Sequence, residues 1–193
     1  GPPETRPIVQ ALLTQVYDKD IEFRDKGEPA NRGWKPVEVI EVCEGVVCDA
    51  GSWRVSAEMV EHGHGLDFPA AFRHRWTCLG YRFECADGVI AISGDTVECD
   101  GLYRLAQDAD ILVQCCYLAA AELTNESMQL LATHTLACGD KVGKIATRAN
   151  VKTLVLTHHR RKPAAMLETL AAEVRRDFTG RLIIGADLMS IEL

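Results

Sequence analysis

The 193-residue chain has no apolar run approaching the ~20 residues that cross a bilayer, and no signal-peptide pattern opens it. It has no surplus of positive charge: 21 Lys and Arg stand against 28 Asp and Glu, a net charge of −7. That balance argues against a broad basic footprint for nucleic acid and leaves small substrates open. Eight cysteines are present, yet no C-x-x-C occurs, so neither a zinc knuckle nor a thioredoxin-type pair is supported. Cys43, Cys48, Cys78, Cys85, Cys99, Cys115, Cys116 and Cys138 lie singly or in strand-like runs. There a thiol behaves as a small hydrophobe, so they read as structural thiols of a reducing, cytoplasmic protein. Internal repeats, low-complexity stretches and an interdomain linker are absent too.

What is present is a change of rhythm halfway along. Helical spacing over 8–17 gives a short amphipathic helix, and 24–36 reads as a polar loop. Alternation over 37–42, 45–49 and 53–60 then predicts three strands joined by short connections. Residues 61–78 (EHGHGLDFPAAFRHRWTC) break the pattern. Next comes a hairpin, 79–85 and 89–93, about the Ala86-Asp87-Gly88 turn. Its second strand, GVIAI, is apolar on both faces and is expected inside a sheet covered on both sides.

Helix and strand alternate from there. A helical turn is expected at 102–106, a strand at 111–116, and a helix at 125–133 capped by Thr124 or Asn125. A further helix at 141–149 would be capped by Asp140, followed by a strand at 151–156. The helix at 163–178 starts on Pro163 and stops before Gly180, and strands at 182–185 and 188–193 close the chain. A meander followed by alternating elements predicts one α/β domain over residues 1–193, a mixed sheet with helices on one side.

Four polar residues stand at ends or breaks in this pattern: His62, Asp95, His134 and His158. His62, Asp95 and His158 each follow an apolar strand, and strand ends in layered sheets gather along one edge where sites form. Imidazole and carboxylate suit Zn²⁺, Mn²⁺ or Fe²⁺, and a carboxylate can bridge two cations. A loop aspartate also commonly serves as a turn former or helix cap. His64 and Asp67, in HGHGLD, offer a second arrangement: with His62, two histidines two apart on an extended chain share a face and chelate one ion. His159, Arg160, Arg161 and Lys162 form a basic cluster suited to an anion, or simply a solvated loop.

Four pieces in order, VEH at 60–62, LGYRFECADGVIAISGDT at 79–96, HT at 134–135 leading to KTLVLTHH, and LIIGADLMSIEL, resemble a known family. They are similar to the C-terminal half of a metallo-β-lactamase-fold hydrolase of the ribonuclease Z and arylsulfatase-like branch. The resemblance implies an αββα sandwich, present here mainly as its C-terminal half. It implies that His62 binds one metal, Asp95 bridges two, His158 binds the second, and His134 assists the transition state or the leaving group. Two divalent cations, zinc first with manganese or iron as alternatives, would make hydroxide for attack on a phosphodiester or related ester.

The family's His-x-His-x-Asp-His signature is missing from these residues, which predicts N-terminal truncation. Cys115 or a neighbour stands where the family often has an acid. A small ester or phosphodiester, RNA included, is the expected substrate, with no membrane association. Half of such a sandwich would expose an apolar sheet face, so a homodimer or pairing with the missing half is expected. The alternative is an inactive half-domain that binds a partner.

Overall fold

A computed structural model describes residues 1–27 and 37–193, and the chain divides into two compact units, Gly1–Cys43 and Glu44–Leu193. The first unit begins with α1 (Thr5–Ala11), one π-type turn (Leu12–Val16) and α2 (Asp18–Gly27). The helix expected at 8–17 therefore starts earlier, and a second helix occupies the beginning of the expected polar loop. The rest of that loop, 28–36, lies outside the described residues. α2 has no apolar stripe to read. Its charge order supports it instead, with Asp18 and Asp20 in the first turn and Arg24 and Lys26 in the last, each facing the favourable end of the helix dipole.

The strand expected at 37–42 does not form. Its backbone bonds to the N-terminal segment instead: Val42 N–H donates to the Gly1 carbonyl at 2.8 Å, and Arg6 donates to the Val39 carbonyl at 2.7 Å. Alternation alone does not make a strand.

In the second unit seven strands form one sheet in sequence order: β1 (Gly45–Asp49), β2 (Trp53–Val60), β3 (Cys78–Cys85), β4 (Gly88–Ile92), β5 (Ile111–Cys115), β6 (Thr153–Thr157) and β7 (Arg181–Ile184). β1 to β4 are antiparallel, whereas β4 to β7 are parallel. This is the mixed sheet that the change of rhythm predicts. The connections carry α3 (Ala70–Arg75), α4 (Asp100–Ala106), a 3-10 turn (Ala120–Glu122), α5 (Glu126–His134), α6 (Gly139–Arg148) and α7 (Ala164–Arg175).

The register places Ala91, Leu112, Leu154 and Leu182 in one row on one face. That row packs into a core with Leu105 of α4, Ile145 of α6 and Val174 of α7. The opposite row runs Ala57, Tyr81, Ile92, Val113, Val155 and Ile183, apolar throughout. On that side Ile92 is 49% exposed while Ala91, its neighbour, is fully buried. The expectation that GVIAI is covered on both faces is thus overturned, because the core helices all lie on one side.

Local signals mostly hold. Asn125 caps α5, its side chain accepting from Met128 N–H at 3.1 Å. Asp140 is not the cap of α6; Cys138 holds that position and Asp140 sits in the first turn, where a carboxylate meets the positive end of the dipole. Pro163 is the residue before the first turn of α7, which ends at Arg175, short of the expected 178. No strand forms at 188–193: Leu188 has φ 62° and is fully exposed, which breaks any extended run. Instead Met189 and Ile191 line a cavity of about 580 Å³ with Val113 and Val155 of the open face and His158 at its rim.

Candidate metal site at the carboxyl edge

Because β4, β5 and β6 run parallel, their carboxyl ends emerge side by side. The ladder continues one residue past β4, where Ser93 N–H donates to the Val113 carbonyl at 3.0 Å. The Ser93 hydroxyl then donates to the Gly94 carbonyl at 2.7 Å and accepts from Cys115 N–H at 3.0 Å, tying the ends of β4 and β5 together. Gly94 follows with φ 62°, and a Cβ there would lie 3.0 Å from the Leu79 carbonyl oxygen. Only glycine turns this corner without strain, and the turn presents Asp95 over the strand ends.

His158 leaves β6 in the left-handed region, φ 55°, which is uncommon for a residue with a Cβ. Its ring lies 5.7 Å from that of Tyr117, and its Nε2 is 3.5 Å from Asp95 Oδ2. Cys115, the last residue of β5, completes the group: donor atoms of Asp95, Cys115 and His158 all lie within 4.8 Å of one another. Cys115 is buried beneath, whereas the His158 and Asp95 side chains are 54% and 41% exposed. Burial, then the Asp95 charge and the thiol's hydrogen bond to that carboxylate, hold the Cys115 pKa far above the ordinary thiol value.

The segments carrying His62 and His134 are joined through backbone groups a step along the edge. His62 Nδ1 is 2.8 Å from the Thr135 carbonyl. A carbonyl only accepts, so Nδ1 carries the proton and Nε2 keeps the lone pair. Gly63 N–H donates to the His134 carbonyl at 2.6 Å, and the His134 ring packs on Gly65 so closely that a Cβ there would strike Nδ1. The two pairs are coupled through backbone. Glu61 N–H donates to Thr96 Oγ1 at 3.2 Å, Val97 N–H to the Glu61 carbonyl at 2.8 Å, and Ala137 N–H to the Thr96 carbonyl at 2.9 Å. Cys78, the first residue of β3, is half-buried. Burial and the Asp95 charge raise its pKa, and the His62 backbone N–H counters them.

The structure thus brings Asp95 and His158 together, sets His62 beside His134, and leaves His62 outside the three-donor group. The sequence marked Cys115 only as a departure from a family pattern. Its role at the edge was hidden because ILVQCC reads as a buried strand, although the end of a parallel strand is where a donor counts.

One expectation is overturned here. The His62–His64–Asp67 chelate does not form. His64 Nδ1 accepts from His62 N–H at 3.0 Å, and its Nε2 donates to the Trp76 carbonyl at 3.0 Å, so both nitrogens are used structurally. Gly63 at φ 76° turns the chain there, so the two-residue logic of a strand does not apply. Three residues of the basic cluster are engaged within the protein. Lys162 and Arg160 both pair with Glu122, and His159 Nε2 donates to the Gly185 carbonyl at 2.9 Å.

The mixed sheet with helices packed on one face is that of the metallo-β-lactamase fold, as its likeness to solved structures shows. The metallo-β-lactamase fold protein YhfI from Bacillus subtilis matches with TM-score 0.54 and 19% identity over 72% of this chain and 48% of its own. Human tRNase Z, short form, matches with TM-score 0.52 and 21% identity over 76% of this chain and 44% of its own. Within that fold the chain is similar to ribonuclease Z: it is 31% identical over 195 residues to the ribonuclease Z of Mycobacterium sp. (strain KMS). That similarity takes in all of this chain and 65% of the relative's length. No protein-family model matches the chain.

Proposed function

We propose that the chain is part of a metal-dependent phosphodiesterase with RNA as its substrate class, and that Asp95, His158 and His62 hold two divalent cations. The observation that carries this reading is the 3.5 Å approach of His158 Nε2 to Asp95 Oδ2 at the carboxyl edge. In a tetrahedral shell with bonds of about 2.0–2.3 Å, neighbouring donors stand roughly 3.3–3.7 Å apart, so the pair fits a shared cation. Similarity to ribonuclease Z supports the substrate class. Two carboxylate oxygens allow Asp95 to reach two cations, and His62 offers Nε2 with its tautomer fixed by Thr135.

Bound divalent cations supply Lewis acidity and lower the pKa of water, the chemistry a phosphodiester needs. The chain's residues do the rest. The scissile group sits in the cavity that His158 lines with Val113 and Val155. His134, beside His62, gives a proton to the departing oxygen. His134→Ala is therefore expected to lower kcat on a chromogenic phosphodiester by about 10²-fold with metal content unchanged. Equal turnover by variant and wild type removes His134 from the mechanism. A wild-type protein that binds no zinc or manganese and shows no turnover rejects the enzyme reading as a whole.

The open sheet face favours a second reading, that the chain associates with another polypeptide. Trp53, Met59 and Ile92 lie on that face and are 38%, 42% and 49% exposed. A second copy is the simplest occupant. Sedimentation at micromolar concentration is expected to show a dimer that Ile92→Lys dissociates; a wild-type monomer ends this reading.

A further inference from the structure

We propose that Cys115 is a metal ligand, so that Asp95, Cys115 and His158 form a carboxylate–thiolate–imidazole site that prefers a zinc-class cation. The inference rests on the metal-binding reading above and adds a sulfur donor to it.

Three observations support it. The donor atoms of these residues fall within 4.8 Å of one another, and they come from the ends of three adjacent parallel strands. Each is held by backbone geometry: Asp95 by the Gly94 corner, Cys115 by its N–H bond to the Ser93 hydroxyl at 3.0 Å, and His158 by its left-handed φ of 55°. A site whose donors are set by the ends of a sheet loses little side-chain entropy on binding. The burial is also graded. The sulfur lies at the base, and the imidazole and carboxylate stand at the mouth, 54% and 41% exposed. Three protein donors would hold a cation there and would leave a coordination position for water or substrate, as in catalytic rather than structural sites.

The sulfur sets the choice of metal. Thiolate favours zinc and cobalt, whereas oxygen donors alone suit magnesium or manganese. The sulfur and an Asp95 carboxylate oxygen lie within 4.8 Å of each other. When a cation enters, the S–H bond breaks, its proton passes to solvent, and the sulfur lone pair makes the new bond. An Asp95 oxygen would be a second ligand to the same cation. Cys78 is the internal competitor, since its thiol also feels the Asp95 charge. It lies at the start of β3, beside His62, and belongs to the other pair.

The test is titration of the metal-free full chain with Co²⁺ alone, followed by absorbance. Binding is expected with an intense near-ultraviolet sulfur-to-cobalt charge-transfer band. Cys115→Ser should lose that band, keep the weaker visible bands, and bind at least about 10-fold more weakly, the lower bound set by what outer-shell partners alone are worth. Cys78→Ser should keep the band. Cadmium-113 NMR of the wild-type chain needs no variant and should show a resonance displaced toward sulfur ligation.

A band that survives Cys115→Ser overturns the proposal, as does a cadmium resonance typical of oxygen and nitrogen donors only. Cobalt bound with visible bands and no charge-transfer band removes Cys115 and leaves the Asp95–His158 site standing. Failure to bind cobalt at all overturns both.

Discussion

Asp95→Asn is expected to reduce phosphodiester cleavage by roughly 10²–10³-fold, the loss that follows from removing a few kcal/mol of cation-borne stabilisation. The substitution keeps the shape of the side chain and its place after the Gly94 corner, but removes the charge that faces His158 Nε2 at 3.5 Å. A neutral amide presents one weaker oxygen donor, so a shared cation loses its anionic ligand. Folding should be nearly untouched, because the side chain is 41% exposed and the Ser93 bonds that shape the turn do not involve it. Stripping wild-type protein with a chelator should bring it to the level of the variant, and re-adding zinc should rescue only the wild type. The measurements are kcat/KM, bound metal per chain, and a thermal melt. Activity within tenfold of wild type, with metal still bound, would place the chemistry elsewhere.

Glu122→Ala should be the most damaging single change to stability away from the site, costing about 3 kcal/mol and roughly 6–12 °C of Tm. Glu122 holds three partners at once: the Lys162 ammonium, Arg160 Nε at 3.4 Å, and Ala119 N–H at 2.9 Å. The Lys162 side chain is 1% exposed, so removing the carboxylate leaves a buried cation without its counter-charge. Lys162→Met should cost far less, since Glu122 keeps Arg160 and the backbone N–H while an apolar chain fills the space. Urea unfolding of the two variants measures this asymmetry.

The same contacts set a pH dependence. Burial pushes the Glu122 pKa up, but Lys162, Ala119 N–H and Arg160 outweigh it, and the net shift is downward from 4.5. A carboxyl whose folded pKa is depressed contributes stability that is fully present above 4.5 and is lost as pH falls through the folded value. Glu122→Gln should therefore lose less stability than wild type below pH 4.5. Equal losses in parallel acid titrations of the two proteins would refute this assignment.

Much of the second unit was legible in the sequence because its signals are local. The Asp87-Gly88 turn fixed the hairpin, and β1 and β2 fall on the expected 45–49 and 53–60. Asn125 capped its helix as the pattern predicts. What failed were segments whose fate depends on a distant partner. Residues 37–42 alternate like a strand but bond to Arg6 and Gly1, and α2 formed from charge order without an apolar stripe. Of the candidate residues, Asp95 and His158 could be named from their positions after apolar strands. The His64–Asp67 arrangement could not be dismissed until the Gly63 turn and the Trp76 carbonyl were seen.

The sequence by itself determined the mixed sheet, its change from meander to parallel crossovers, and the placement of polar residues after apolar strands, because periodicity and turn chemistry act over a few residues. Only the tertiary structure decided that Arg160 and Lys162 are spent on Glu122, and that a cysteine from β5 joins Asp95 and His158. Each of these depends on which strand ends lie side by side. That is set by the register of the parallel strands, information spread over more than sixty residues between Asp95 and His158 and carried by no local pattern.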